Sequence, residues 1–267
     1  MRIFALVLIF NILSSVSLVS CVYAKEKDFR QLRSSHFLIN YRKDVDEGYI
    51  FKIRDIAEKF YKVITQEFNL VRDKLWIWEN RAVLYIAKDK ADYSKSFKCF
   101  SWSAACVDYN RKIIYTYQNH LNFETILVHE LTHIIFREYV KGGNLPLWLE
   151  EGVAVYMENK YGRGSYGGTL GFLKKKIEDD SYIKLVQLNN ITTQVLAKSS
   201  KEYVNLFYIE SFSLINFLMK EHGSYRFYRF LYYLRKGHNT EKALARAFYY
   251  YKNLDIVERE WKKFYQE

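Results

Sequence analysis

The pentapeptide His129-Glu130-Leu131-Thr132-His133 constrains this chain more than any other stretch. Two histidines four apart on a helix project from one face, one turn apart. Their imidazoles can therefore grip a single metal ion. The glutamate beside the first histidine then reaches the attacking water and can serve as its general base. The flanks agree with a helix: Phe123, Ile126, Leu127, Ile134 and Ile135 recur at helical spacing over residues 122–138. Asn122 is placed to cap its start and Gly142-Gly143 to end it. A mostly apolar helix suits such a site because it keeps the surroundings of the metal dry.

A catalytic zinc takes three protein ligands and leaves one position open. Residues 145–154 supply a candidate in Leu145-Pro146-Leu147-Trp148-Leu149-Glu150-Glu151-Gly152-Val153-Ala154. Pro146, the only proline of the chain, stands where a second helical pattern begins, a position that its fixed φ favours. Glu151 shares a face with Trp148 and Val155, the packed side of an amphipathic helix, whereas Glu150 falls one residue round, nearer the solvent. Glu151 is therefore the expected third ligand.

HELTH followed by WLEEGVA resembles the gluzincin metallopeptidases, specifically the peptidase MA-like families. Their pattern is H-E-x-x-H, a short loop, then W-L-x-E-G-x-A. The resemblance implies that His129 and His133 bind one Zn2+ ion per chain, that Glu130 is the general base and that Glu151 completes the site. Seventeen residues separate His133 from Glu151. That is slightly fewer than in the aminopeptidase N or thermolysin types, which sets the chain apart from both families but not from the wider group. The order Tyr208, Ser211, Phe217-Leu218, Gly223, Gly237 and Trp261 is similar to the C-terminal part of the same families. Gluzincins often use a downstream Tyr or His to stabilise the oxyanion. Tyr208 is the candidate here, with Tyr203 second.

The N-terminus reads as an export signal of residues 1–24, with Arg2 ahead of an apolar run over residues 3–12 that is too short for a membrane span. Two cleavage positions compete. Leu18-Val19-Ser20-Cys21 resembles a lipobox, with a cut before Cys21 and attachment to a membrane through the lipidated cysteine. Val22-Tyr23-Ala24 fits an ordinary cut before Lys25. The expected location is outside the cytoplasm, in a bacterial cell envelope or secreted. Cys99 and Cys106 can pair there and stiffen a loop before the following strand, or remain as two buried thiols. Neither has the spacing of a zinc ligand.

The net charge of +11 admits nucleic acid, but no nucleic-acid motif is present, and a generally basic surface or attraction to anionic headgroups accounts for it. With 267 residues, 49% of them hydrophobic, the chain can bury a sizeable core. Strands are expected over residues 35–41, 82–87 and 111–117, and a helix over 46–69. In gluzincins the strand before the active-site helix edges the cleft, and the resemblance gives residues 111–117 that role. Residues 161–171 carry five of the eleven glycines and read as a connector or lid. Helices follow over residues 203–221, 224–235, 240–250 and 255 to the end, with Thr240 and Asp255 as caps. His120, His222 and His238 read as surface or loop residues.

The expected fold is α+β and zincin-like, a small mixed sheet packed on the active-site helix and followed by a helical part. Residues 25–160 carry the two site helices, and residues 161–267 belong to the same catalytic unit. The function expected is zinc-dependent hydrolysis of a peptide or protein substrate. The alternative is an inactive zinc-binding envelope lipoprotein that acts as a binding module; the intact Glu130 weighs against it.

Overall fold

The computed structural model describes residues 28–70, 75–97, 99, 103–118, 122–141, 145–162, 164 and 166–267. The leader, with Cys21 and Ala24, lies outside the described residues, as does His120. The chain forms two compact units, one of residues up to Val63 with Arg72–Ile134, the other of Ile64–Val71 with Ile135–Glu267.

The first unit is built on a mixed sheet whose five strands are β1 (Phe29–Arg33), β2 (Phe37–Arg42), β3 (Ala82–Ala87), β4 (Cys106–Asp108) and β5 (Ile113–Tyr117). Their order is β1-β2-β3-β5-β4, with β2, β3 and β5 mutually parallel and an antiparallel strand at each margin. Parallel central strands are usually buried on both faces, and β3 behaves so. Ala82, Leu84 and Ile86 are fully buried on one face, while Tyr85 stacks on Tyr115, its partner in register, on the other.

Helix α1 (Glu47–Glu67) is fastened to β2 through Glu58, which accepts from the backbone N–H of His36 at 2.9 Å and bonds its ring at 2.6 Å. Helix α2 (Lys90–Phe97) covers the tyrosine face with Tyr93 and Phe97. It is pinned by a two-pronged pair in which Arg42 donates to Asp92 at 2.9 and 3.0 Å. Cys99 and Cys106 are joined in a disulfide, with Cα atoms 6.0 Å apart. Residues 111–117 thus form a strand as expected, but not a margin: β4 lies outside β5, because residues 106–108 pair back onto it. Helix α3 (Phe123–Val140) carries the HELTH segment.

The second unit is helical. Helix α4 (Leu147–Tyr161) is followed by a 3-10 turn at Tyr166–Thr169, α5 (Leu170–Glu178), the short α6 (Leu185–Leu188) and α7 (Thr193–Ala197), then α8 (Lys201–Arg235), α9 (Thr240–Phe248) and α10 (Leu254–Gln266). Among its described residues the glycine-rich stretch holds a 3-10 turn between helices, tied to the end of α4 by Gly164 N–H to the Glu158 carbonyl and Gly167 N–H to the Asn159 side chain. The break expected near residue 223 is real: Gly223 has φ +75°, a left-handed conformation that glycine adopts without steric cost, inside α8. The caps of α9 and α10 are Asn239 and Asn253, each accepting from the N–H three residues on, and not Thr240 and Asp255, one and two positions later.

Helix α4 packs along α8, and Gly152 sets how closely. A Cβ built there would lie 2.6 Å from the Ser211 carbonyl oxygen and 2.8 Å from the Ile215 side chain. The glycine of the WLEEG sequence is thus required by the backbone approach of a second helix. Glu67 gathers the hydroxyls of Tyr156 and Tyr161, each at 2.8 Å, and the Lys160 ammonium at 2.6 Å. Burial opposes its ionisation, but these donors outweigh burial and hold its pKa below the usual value. No helix among the described residues is long and apolar enough to cross a membrane.

Candidate metal centre

One turn of α3 brings the two histidines together as the i, i+4 spacing requires. Their Nε2 atoms are 3.0 Å apart, with the rings near perpendicular at 78°. Two ligand atoms about 2.0–2.1 Å from a tetrahedral zinc are roughly 3.3 Å apart, so this separation fits a shared ion. Both histidines and the intervening Glu130 are almost fully buried, at 2–3% exposure. The positions between them serve the helix. Leu131 is buried, and Thr132 turns its hydroxyl back onto the Val128 carbonyl at 2.6 Å.

The structure gives Glu130 a partner that the spacing of motifs does not reveal. Tyr109, in the turn after β4, donates its hydroxyl to Glu130 Oε2 at 3.0 Å. The same ring stands edge-on to His133, with centroids 5.9 Å apart. Tyr109 and Glu130 are 21 positions apart in the chain. Tyr109 stands in the β4–β5 hairpin and Glu130 on α3, so the contact is made by the fold and not by local sequence.

On α4 the two adjacent glutamates separate by partner. Glu150 accepts a hydrogen bond from Arg137 at 2.9 Å, with 14% of its side chain exposed. It is therefore committed to a cation and is less solvated than the helix pattern suggests. Glu151 is the carboxylate that joins the histidines. One ligand atom each from His129, His133 and Glu151 lie within 4.8 Å of one another. Two imidazoles and one carboxylate, mostly buried, make the donor set of an open zinc site. A second residue not foreseen is Tyr166 of the 3-10 turn. Burial pushes its pKa well above the ordinary phenol value, and the nearby Glu158 and Glu151 carboxylates add to this.

Tyr208 lies in α8, 1% exposed, with its ring edge-on to Phe207. Tyr203 stands near the exposed start of the same helix, where burial raises its pKa. His238 is in the loop after α8, as expected. His222 is half-buried: it sits within α8, bonded to the Tyr251 hydroxyl and packed against Phe217 and Phe248, and burial lowers its pKa.

Comparison with known proteins agrees with this geometry. No curated protein sequence matches the chain. Its fold is similar to that of native yeast LTA4 hydrolase, with a TM-score of 0.50 at 14% sequence identity, over 89% of this chain and 39% of that one. The chain thus spans well under half of the length of that enzyme, and the likeness concerns the fold. Residues 79–267, more than two thirds of the chain, match the family model of the Peptidase MA superfamily. With its HELTH helix and the downstream glutamate in place, the chain belongs to the Peptidase MA superfamily.

Proposed function

We propose that the protein is a zinc-dependent metallopeptidase that hydrolyses peptide bonds, with one ion held by His129, His133 and Glu151. The observation that supports this reading best is the convergence of these three donors beside a buried glutamate on the same helical turn. Zinc, when bound, would supply Lewis acidity toward the scissile carbonyl and toward water.

The chain's own groups carry the protons. Glu130 takes the proton from the attacking water and passes it to the leaving amine. Tyr109 fixes the Glu130 carboxylate through Oε2, so that the base is aimed before substrate arrives. The buried surroundings of the motif exclude bulk water and strengthen each of these interactions. Tyr208 is the proposed donor to the oxyanion. It is supported by its place on the helix that packs along the glutamate-bearing α4. An unchanged kcat in Tyr208→Phe would remove it from the mechanism.

The test is zinc content of wild type and His133→Ala, together with cleavage of a broad peptide library by wild type and Glu130→Gln. The expected result is one zinc per chain that is lost in His133→Ala, and cleavage that is lost in Glu130→Gln with zinc retained. Wild type that takes up no zinc on reconstitution would overturn the reading. Zinc uptake without cleavage would overturn the peptidase activity but not the metal site.

A further inference from the structure

A second chemical feature lies within the helical unit and has no part in the metal centre. Residues 222–254 hold seven basic residues and one acidic residue, a balance of +6 out of the +11 of the whole chain. The same stretch carries seven of the 24 tyrosines. It comprises the second half of α8, all of α9 and the turn that leads into α10.

The arrangement is ordered. Tyr225, Arg229, Tyr232 and Lys236 follow one another at intervals of four, three and four, which places them on one face of α8. The turn after α9 lies against this face. Arg226 and Arg229 both stand over the Tyr249 ring, at 5.2 and 5.3 Å from its centroid. Arg229 also donates to the hydroxyls of Tyr249 at 2.7 Å and Tyr233 at 3.1 Å. Arg246 of α9 also stands over the Tyr233 ring, at 5.6 Å.

Tyr249 has φ +55° and ψ −37°, a backbone conformation that a bulky residue adopts only at a cost. The strained turn leaves Tyr249 and Tyr250 exposed at 59% and 75%, and Tyr225 is 65% exposed.

Apart from Arg235, no basic residue of the segment has a carboxylate oxygen within 4.0 Å among the described residues, and the lone acid, Glu241, caps the Leu254 backbone N–H. The face instead presents guanidinium forks, which suit phosphate oxygens, interleaved with aromatic rings of the kind that settle at a membrane–water boundary. Rings this exposed stand proud of the surface. Proteins that hold single-stranded nucleic acid use rings and cations lining a groove that tracks the strand.

We propose that this Arg- and Tyr-bearing face of α8, α9 and the 249–250 turn is a docking surface for a bilayer rich in anionic phospholipid. The guanidinium groups meet headgroup phosphates and the tyrosine rings enter the interfacial layer. Each basic residue near an anionic surface contributes about 1 kcal/mol, so removal of three should weaken binding roughly a hundredfold.

The experiment is co-sedimentation of the full chain with vesicles of phosphatidylglycerol and phosphatidylcholine, against phosphatidylcholine alone. It compares wild type, the triple variant Arg226→Gln/Arg229→Gln/Arg246→Gln, and a charge-matched control, Lys52→Gln/Lys59→Gln/Lys175→Gln, with helix content checked by circular dichroism. Tyr249→Ser tests the aromatic component without altering charge. The expected result is binding to anionic vesicles only, lost in the triple variant, kept in the control and weakened in Tyr249→Ser. Three outcomes would overturn the proposal: no preference for anionic vesicles, equal loss in the control, or tighter binding to a single-stranded oligonucleotide than to the vesicles at the same salt. None of these arms requires zinc or cleavage, so the result stands apart from the peptidase reading.

Discussion

Glu130 on α3 and Glu210 on α8 are both almost wholly removed from solvent, and they are buried in opposite company. Glu130 lies between two imidazoles in sequence and receives the Tyr109 hydroxyl at 3.0 Å. Glu210 accepts one backbone N–H, from Ile183 at 2.8 Å, while its second oxygen meets no donor. Burial then pushes the Glu210 pKa up to about 8, so near neutral pH it is largely an acid rather than a carboxylate. Burial alone therefore does not mark a working carboxylate. What distinguishes the two is whether the surroundings supply proton donors and a place for a cation.

Substitution at each site separates the two cases. Glu130→Gln keeps the shape of the side chain but not its basicity. We expect kcat to fall about a hundred- to ten-thousandfold, with zinc content and thermal midpoint unchanged; a variant that still cleaves would assign the base elsewhere. Gly152→Ala probes the helix pair that holds Glu151. Its Cβ meets the Ser211 carbonyl at 2.6 Å, and overpacking of this kind costs about 1–3 kcal/mol. Urea unfolding reads that loss, and an unshifted midpoint would mean that α4 and α8 separate without strain.

Tyr109→Phe removes one hydroxyl from the proposed base, Glu130. The expectation is a roughly tenfold drop in kcat, about 1.4 kcal/mol, at constant KM and zinc content. A change in KM alone would make Tyr109 a substrate contact instead.

Glu210→Gln should leave cleavage untouched and alter the pH dependence of stability. The folded pKa of Glu210 is raised, so between the unfolded value of about 4.3 and about 8 the native state binds more protons than the unfolded one. Its contribution to stability is accordingly lost as pH rises through that window. Thermal midpoints of wild type should decline from pH 5 to 8.5 more steeply than those of the variant. Parallel profiles would show that Glu210 titrates normally.

The sequence was most legible where one short pattern forces one geometry. The helix expected over residues 122–138 is Phe123–Val140, and the strand expected over 82–87 is Ala82–Ala87. The histidine pair needs nothing beyond its i, i+4 spacing. What stayed hidden depends on partners distant in the chain. The polar stretch of β1 becomes a strand only by pairing with β2, and β4 is three residues long, below the length at which alternation can be read. Tyr109 is one of 24 tyrosines, and nothing local ties it to Glu130. Reading the cap of α9 one residue late has a simple cause as well. Asn239 and Thr240 are both good cap types, but Thr240 is turned inward and buried, which leaves Asn239 to meet the Lys242 N–H.

The short outer strand β4 couples two alignments. Cys106 begins the strand and is tethered to Cys99, and Tyr109 follows its last residue, Asp108. Tether, strand and tyrosine form one stiff lever whose tip rests on Glu130. An extended peptide that laid its backbone along β4 would press on that lever while it was being positioned. The register of the incoming chain and the aim of the base would then be set in a single motion, and a peptide seated out of register would spoil both.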